Sequence, residues 1–281
     1  MTILEETGRC HEQEGNAMPD LEDVDVGTAR PDSVQHIRVE PSPRRVRAFL
    51  DNVAVADSKR VLLLFERGHL PTYYFPPEDV RMDLLEPTQR TTHCPYKGDA
   101  SYWTVRVGDR TSENAAWGYP EPLPDRGDIK GHIAFYWNRM DAWYEEDDEV
   151  FVHARDPYHR VDVLNSSRHV RVEVGGETLA DTRRPRLLFE TNLPVRYYIP
   201  KADVRMDLLE PSDTVTSCPY KGRASYWSAQ VGETAVKDVS WSYPAPIPEC
   251  PKIEQLVAFF NERVDLYVDD ELQPRPKTPW S

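Results

Sequence analysis

The chain is poor in cysteine, with only Cys10, Cys94, Cys218 and Cys250 in 281 residues. That is too sparse for a disulfide framework, and no Cys-x-x-Cys pair offers ligands for a zinc knuckle. Neither a metal nor an organic cofactor is expected. Basic residues are outnumbered, 34 Lys and Arg against 48 Asp and Glu, which leaves a net charge of −14. No basic stripe can follow a phosphate backbone, which argues against nucleic acid as a partner. No apolar run approaches the ~18–20 residues of a membrane span. The opening Met-Thr-Ile-Leu-Glu-Glu has neither the basic nor the apolar region of a secretory leader. A soluble, cytoplasmic protein that touches no membrane is the expectation.

What the chain has instead is itself, twice. Val80–Pro87 and Val204–Pro211 both read VRMDLLEP, an offset of 124 residues. The same offset carries Cys94–Gly98 (CPYKG) onto Cys218–Gly222, and Ser101–Trp103 onto Ser225–Trp227. The repeat is polar where a repeat made only for a core would be apolar, which points to two similar sites. Each copy has about 110 residues, enough for one hydrophobic core.

The expected organisation follows from composition. Residues 1–44 are acidic and poor in aromatics, and bury too little apolar surface to offset their ordering entropy. The pair of carboxylates in Asp23-Val24-Asp25 falls in this tail and is set aside as a metal site. The first repeat domain spans 45–148, a polar linker with Pro157 spans 149–168, and the second domain spans 169–271. A proline-rich tail closes the chain over 272–281.

Alternation dominates inside each copy. Val170–Val174 before Gly175-Gly176 reads as a strand entering a hairpin turn, with Arg47, Phe49 and Asn52 marking its counterpart. Apolar runs follow at Val61–Phe65 and Leu187–Phe189, then Tyr73–Phe75 and Tyr197–Ile199. Val80 and Leu84 sit four apart, as on one face of a short helical turn, with Pro77 at its first position. The segments 129–139 and 253–263 have the length of a helix. The fold class expected is therefore mainly β, each domain carrying a short helical turn and one C-terminal helix.

Several recurring residues can carry chemistry. Glu66 and Glu190 each end an apolar strand in Leu-Phe-Glu, where partial desolvation raises a carboxyl pKa and suits acid/base work. Lys97 and Lys221, locked in Pro-Tyr-Lys-Gly turns, can hold an anionic group as a point charge or act as an acid. Cys94 and Cys218 lack a recurring His, since His93 is replaced by Ser217. A Cys–His nucleophile is thus unsupported, and a small thiol fixing a turn is preferred. Arg81 with Asp83, and Arg205 with Asp207, read as local salt bridges. Tyr74, Trp103, Trp117 and Tyr119 recur as Tyr198, Trp227, Trp241 and Tyr243, and can wall a pocket for a small molecule or simply fill a β-core.

Taken together, these motifs resemble the domain-of-unknown-function family 427, labelled nucleotidyltransferase-like. The likeness runs through Ala56-Asp57 and Ala180-Asp181, Glu66 and Glu190, Tyr74–Pro76 and Tyr198–Pro200. It continues through Thr92–Gly98 and Thr216–Gly222, then Trp117-x-Tyr119 and Trp241-x-Tyr243. The resemblance implies a β-tent architecture, similar to methionine-R-sulfoxide reductases and to the thalidomide-binding domain of cereblon. The paired Cys-x-x-Cys knuckles that hold zinc in many such proteins are missing here, so zinc does not carry over. Nucleotidyl transfer wants clustered carboxylates for magnesium and a glycine-rich phosphate cradle, and neither stands in these units.

The functional expectation is a cofactor-free acid/base enzyme on a small organic metabolite, of isomerase, cyclase, hydratase or hydrolase type. Glu66 or Glu190 would move the proton, and Lys97 or Lys221 would hold an anionic group. The alternatives are a small-molecule-binding module without turnover, or a structural interaction protein. Association into a homo-oligomer is left open.

Overall fold

The computed structural model describes residues 37–232 and 234–281. Most of the acidic segment read as a tail, including Asp23-Val24-Asp25, lies outside the described residues.

In the first unit, seven strands lie side by side in the order Ile37–Pro41, Leu62–Glu66, Thr72–Phe75, Ile133–Phe135, Arg110–Gly118, Gly98–Val107 and Leu85–Cys94. A second sheet orders Asp148–Glu149, Ala142–Glu145, Val46–Leu50 and Val53–Ser58. The second unit repeats both. Its larger sheet runs Val161–Asn165, Arg186–Glu190, Arg196–Ile199, Val257–Phe259, Thr234–Ser242, Gly222–Val231 and Leu209–Cys218. Its smaller sheet runs Glu177–Thr182, Val170–Val174, Asp265–Val268 and Glu271–Leu272. The ladders are antiparallel throughout. Gly175 and Gly176 make the expected hairpin with left-handed backbones, and Asp51 and Asn52 do the same in the first unit.

The inner strands of the larger sheet are buried on both faces, which explains the continuous apolar runs. Leu63, Tyr73 and Phe135 point into a core shared with the smaller sheet. Their neighbours Leu64, Tyr74 and Ala134 point the other way, into an aromatic cluster with Tyr102, Trp117, Tyr119 and Tyr136. The second unit matches, with Leu188, Tyr198, Trp241, Tyr243 and Phe260 in the equivalent cluster. A strand buried on both faces loses its period-two pattern and reads as a continuous apolar run.

Three expectations are corrected. The longer helix over 129–139 and 253–263 is not formed. Its place is taken by the short strands Ile133–Phe135 and Val257–Phe259 between tight turns. Gly131 and Gln255, both in the left-handed region, break any helical path there. The short helical turn exists as two single 3-10 turns, Pro77–Asp79 and Met82–Leu84, with Val80 extended between them. The domain starts expected at 45 and 169 fall too late. Ile37–Pro41 pairs with Leu62–Glu66, and Val161–Asn165 pairs with Arg186–Glu190, so the first strand of each larger sheet lies in what composition reads as tail or linker. Pro87 sits in the edge strand Leu85–Cys94, where a missing N–H costs no ladder bond.

Candidate functional site

Glu66 ends the second strand of its sheet, and Lys97 sits in the turn joining the sixth and seventh. Along a flat sheet the four intervening spacings of about 4.8 Å would hold them about 19 Å apart. Yet Lys97 Nζ donates to Glu66 Oε2. The sheet therefore curls, and the pair closes across its concave face beside the aromatic cluster. Lys221 and Glu190 meet in the same way, Nζ donating to Oε1 at 2.5 Å. Both pairs are withdrawn from water, with side chains 4% and 11% exposed in the first and 10% and 5% in the second.

The lysine turn is held by the residue that follows the repeated Trp-x-Tyr-Pro-x-Pro stretch, Trp117–Pro122 and Trp241–Pro246. The Leu123 N–H donates to the Lys97 carbonyl at 3.0 Å, and the Ile247 N–H to the Lys221 carbonyl at 3.1 Å. Gly98 and Gly222 follow with φ of +99° and +102°. A Cβ on Gly222 would lie 3.3 Å from both the Ala245 carbonyl oxygen and the Ile247 nitrogen. Only glycine satisfies both the backbone angle and the close approach. Gly222→Ala is expected to cost about 1–3 kcal/mol. Gly232→Ala, with nothing within 4 Å of its Cβ, is expected to cost less. Denaturant titration of the two variants checks this, and equal losses would mean the clamp contributes nothing.

The second unit adds groups that no repeat motif announces. His159 Nε2 lies 3.0 Å from Glu190 Oε1. The His159 ring stacks on Tyr220 at 4.1 Å, and the Tyr220 hydroxyl accepts the Asp156 N–H at 2.8 Å. Burial pushes the Glu190 carboxyl up, but His159 and Lys221 together outweigh it and hold the group below its ordinary value. Burial also opposes the Lys221 charge, while the Cys218 sulfur and the Glu190 carboxylate more than offset that and hold the ammonium above its ordinary value. Burial raises the phenols of Tyr74, Tyr119, Tyr198 and Tyr243, which keeps them neutral. It also pushes the Cys250 thiol up to about 11.

A carboxyl depressed on folding gives stability that is complete above its unfolded value and lost as pH falls through the folded one. The Glu190 contribution should therefore fade as pH drops below 4.5, its ordinary value. The measurement is the melting temperature against pH for wild type and Glu190→Gln. Their difference should shrink on acidification, and a gap that stays constant to strongly acid pH would contradict the assignment.

The other expected site residues divide by strand parity. Tyr74, Trp117 and Tyr119 lie in the aromatic cluster of the first unit, and Tyr198, Trp241 and Tyr243 in that of the second. Trp241 Nε1 donates to the Tyr198 hydroxyl at 3.2 Å. Trp103 and Trp227 do not join them. They pack on the opposite face of the sheet, against the cores shared with the smaller sheets. Tyr102 and Tyr226, one residue earlier, point towards the cluster instead. The clustered rings pack on one another, Tyr74 edge-on to Trp117 at 6.4 Å and Trp117 against Tyr136 at 4.4 Å. They form a core rather than the walls of an open chamber. A cleft of about 290 Å³ lies away from the pair, between Glu86, Thr88, Arg106 and Asn114. Arg81 bridges Asp83 and Arg205 bridges Asp207, the local salt bridges expected. Among the described residues, no three His, Cys, Asp or Glu side chains are grouped to hold a metal ion, and no helix is long and apolar enough to cross a membrane.

No curated protein matches the chain. The family profile described as domain of unknown function (DUF427) matches it twice, over residues 38–146 and 162–270. The two matches fall on the two sheet-rich units, each with its own Glu–Lys pair. The chain belongs to the DUF427 family and carries two copies of its domain in tandem.

Proposed function

We propose that each unit binds a small organic metabolite at its Glu–Lys pair, and that the first unit turns it over by cofactor-free acid/base chemistry. The observation that carries this reading is the buried carboxylate–ammonium pair, built identically in both units from a strand end and a distant turn. Lys97 supplies a positive charge for an anionic group or a developing oxyanion, and Glu66 accepts or returns the proton. Isomerisation and cyclisation need no more than this, and hydration and hydrolysis need a water molecule as co-substrate.

Turnover is assigned to the first unit because Glu190 is a weak base. Its carboxyl is held below the ordinary range by two partners, one of them His159. At Glu66 the described contact is the Lys97 ammonium. The second unit then acts as a binding module. Binding without turnover in both units is the second reading, favoured by the mutual satisfaction of the two charges.

The test is exposure of the purified full-length chain, and of the Glu66→Gln/Glu190→Gln variant, to a cellular metabolite extract followed by mass spectrometry. A compound consumed by the wild type and only retained by the variant supports the enzyme. A compound retained unchanged by the wild type supports the binding module. Retention of nothing by the wild type would leave the pair a structural brace.

A further inference from the structure

The second unit holds a charge pair that the first lacks. Arg196 and Glu262 meet in a two-pronged contact, both bonds 2.7 Å, with side chains 7% and 0% exposed. The repeat offset places Thr72 and Asn138 at these positions in the first unit. The Arg196 guanidinium lies among three rings, 5.6 Å from Trp241, 5.8 Å from Phe260 and 5.6 Å from Trp280. Trp280 belongs to the segment beyond the last strand, Glu271–Leu272.

That segment, read from sequence as a proline-rich tail, is docked. Thr278 Oγ1 donates to Glu262 Oε1 at 2.7 Å, and Arg263 Nε donates to the Trp280 carbonyl at 3.0 Å. The Trp280 ring is half-buried, 6.5 Å from Phe260. Residues 273–281 form no strand, and Pro274, Pro276 and Pro279 have no N–H to give. The Trp280 and Ser281 amides bond only within the segment, to the Thr278 hydroxyl and carbonyl.

The balance under this cover is close. Burying two ions carries a large desolvation cost, which their pairing repays only in part. Lifting the cover returns water to both ions, and gives up two hydrogen bonds and one half-buried ring. We propose that Pro276–Ser281 is a strap that opens and closes over the aromatic face of the second unit without unfolding the sheet. The open state bares Trp241, Phe260 and Arg196, and releases Arg263 Nε, whose guanidinium lies 4.6 Å over the Phe260 ring and keeps its bond to the Lys237 carbonyl at 3.4 Å. Two rings beside two guanidinium groups and one carboxylate suit an aromatic ring that carries an anionic group. The closed strap occupies the same places with the Trp280 ring and its carbonyl. This inference rests on the strap contacts alone and is independent of any ligand at Glu190 and Lys221.

The experiment is hydrogen exchange on the full chain, read by mass spectrometry, together with binding of the aromatic sulfonate dye anilinonaphthalene sulfonate. In the wild type, the Trp280 and Ser281 amides are expected to be protected only about 10- to 100-fold. The Phe260 amide, which donates to the Val239 carbonyl, should reach about 10⁴-fold or more. Trp280→Ala should abolish the strap protection, leave Phe260 within about tenfold, and raise dye emission several-fold. Trp280→Phe should remain largely closed. Strap amides as slow as Phe260 in the wild type would make the segment part of the fold and overturn the proposal. So would strap amides with no protection, which would mean it does not dock, and so would unchanged dye emission in a folded Trp280→Ala. If Trp280→Ala does not fold, wild-type exchange decides alone.

Discussion

Lys221→Met is expected to destabilise the second unit by about 3–5 kcal/mol, the loss typical of removing one partner from a buried ion pair. An exposed pair would lose only about 0–1 kcal/mol. Burial decides between the two, because Lys221 is 10% and Glu190 5% exposed. Methionine keeps most of the lysine stem, so lost packing explains little of the effect. What remains is a carboxylate in the interior with His159 as its charged or hydrogen-bonding partner. Removing the second charge as well, in Glu190→Leu/Lys221→Met, should recover much of the loss, since neither charge is then left uncompensated. Each unit has core clusters of its own, so a single global transition is not assured. Denaturant titration should therefore be followed by exchange at second-unit amides such as Phe260. A single variant costing under about 1 kcal/mol, or a double variant no better than the single, would mean the pair is not a buried electrostatic unit.

The pair itself was legible in the sequence because both members recur. Glu66 and Glu190 end the same apolar run, and Lys97 and Lys221 close the same turn. Two copies made identity at polar positions informative without any other sequence. The curl that joins them was not legible, since it depends on strand order and twist and not on any local motif. Nor was His159. It reaches Glu190 only because Val161 pairs opposite Glu190 across the ladder, a non-local register that the repeat does not mark.

Parity explains the misplaced tryptophans. Recurrence alone treats Tyr102 and Trp103 alike, but adjacent residues of a strand face opposite ways, so one of them had to leave the cluster. The lost helix has a different cause. Ile129, Ile133 and the run through Trp137 are dense enough in apolar side chains to imitate a buried helix, which periodicity cannot distinguish from a strand buried on both faces. Gly131 was a readable breaker, but Gln255 at the equivalent place, with φ +57°, disguised it. The tail over 272–281 looked free because proline removes ladder bonds. Its docking rests on Trp280 and Thr278 meeting groups far back in the chain.

Glu66→Gln is expected to lower turnover of the metabolite by about 10²–10⁴-fold while leaving its binding largely intact. Glutamine keeps the shape of the side chain and can still accept a hydrogen bond from Lys97, but it cannot take a proton. A loss confined to kcat follows when the group acts only as the reaction proceeds. Glu190→Gln should alter turnover little on the division of roles proposed above, because Glu190 is held ionised and is a poor acceptor. Lys97→Met should weaken binding and lower kcat/KM while leaving kcat largely unchanged, since its charge acts on bound substrate and transition state alike. The measurement is single-turnover kinetics with the enriched compound on the three full-length variants, with folding checked by melting temperature. Equal losses for Glu66→Gln and Glu190→Gln would dissolve the asymmetry between the units. A Glu66→Gln enzyme as fast as the wild type would remove Glu66 from the chemistry and leave the Glu–Lys pair as a binding or bracing element.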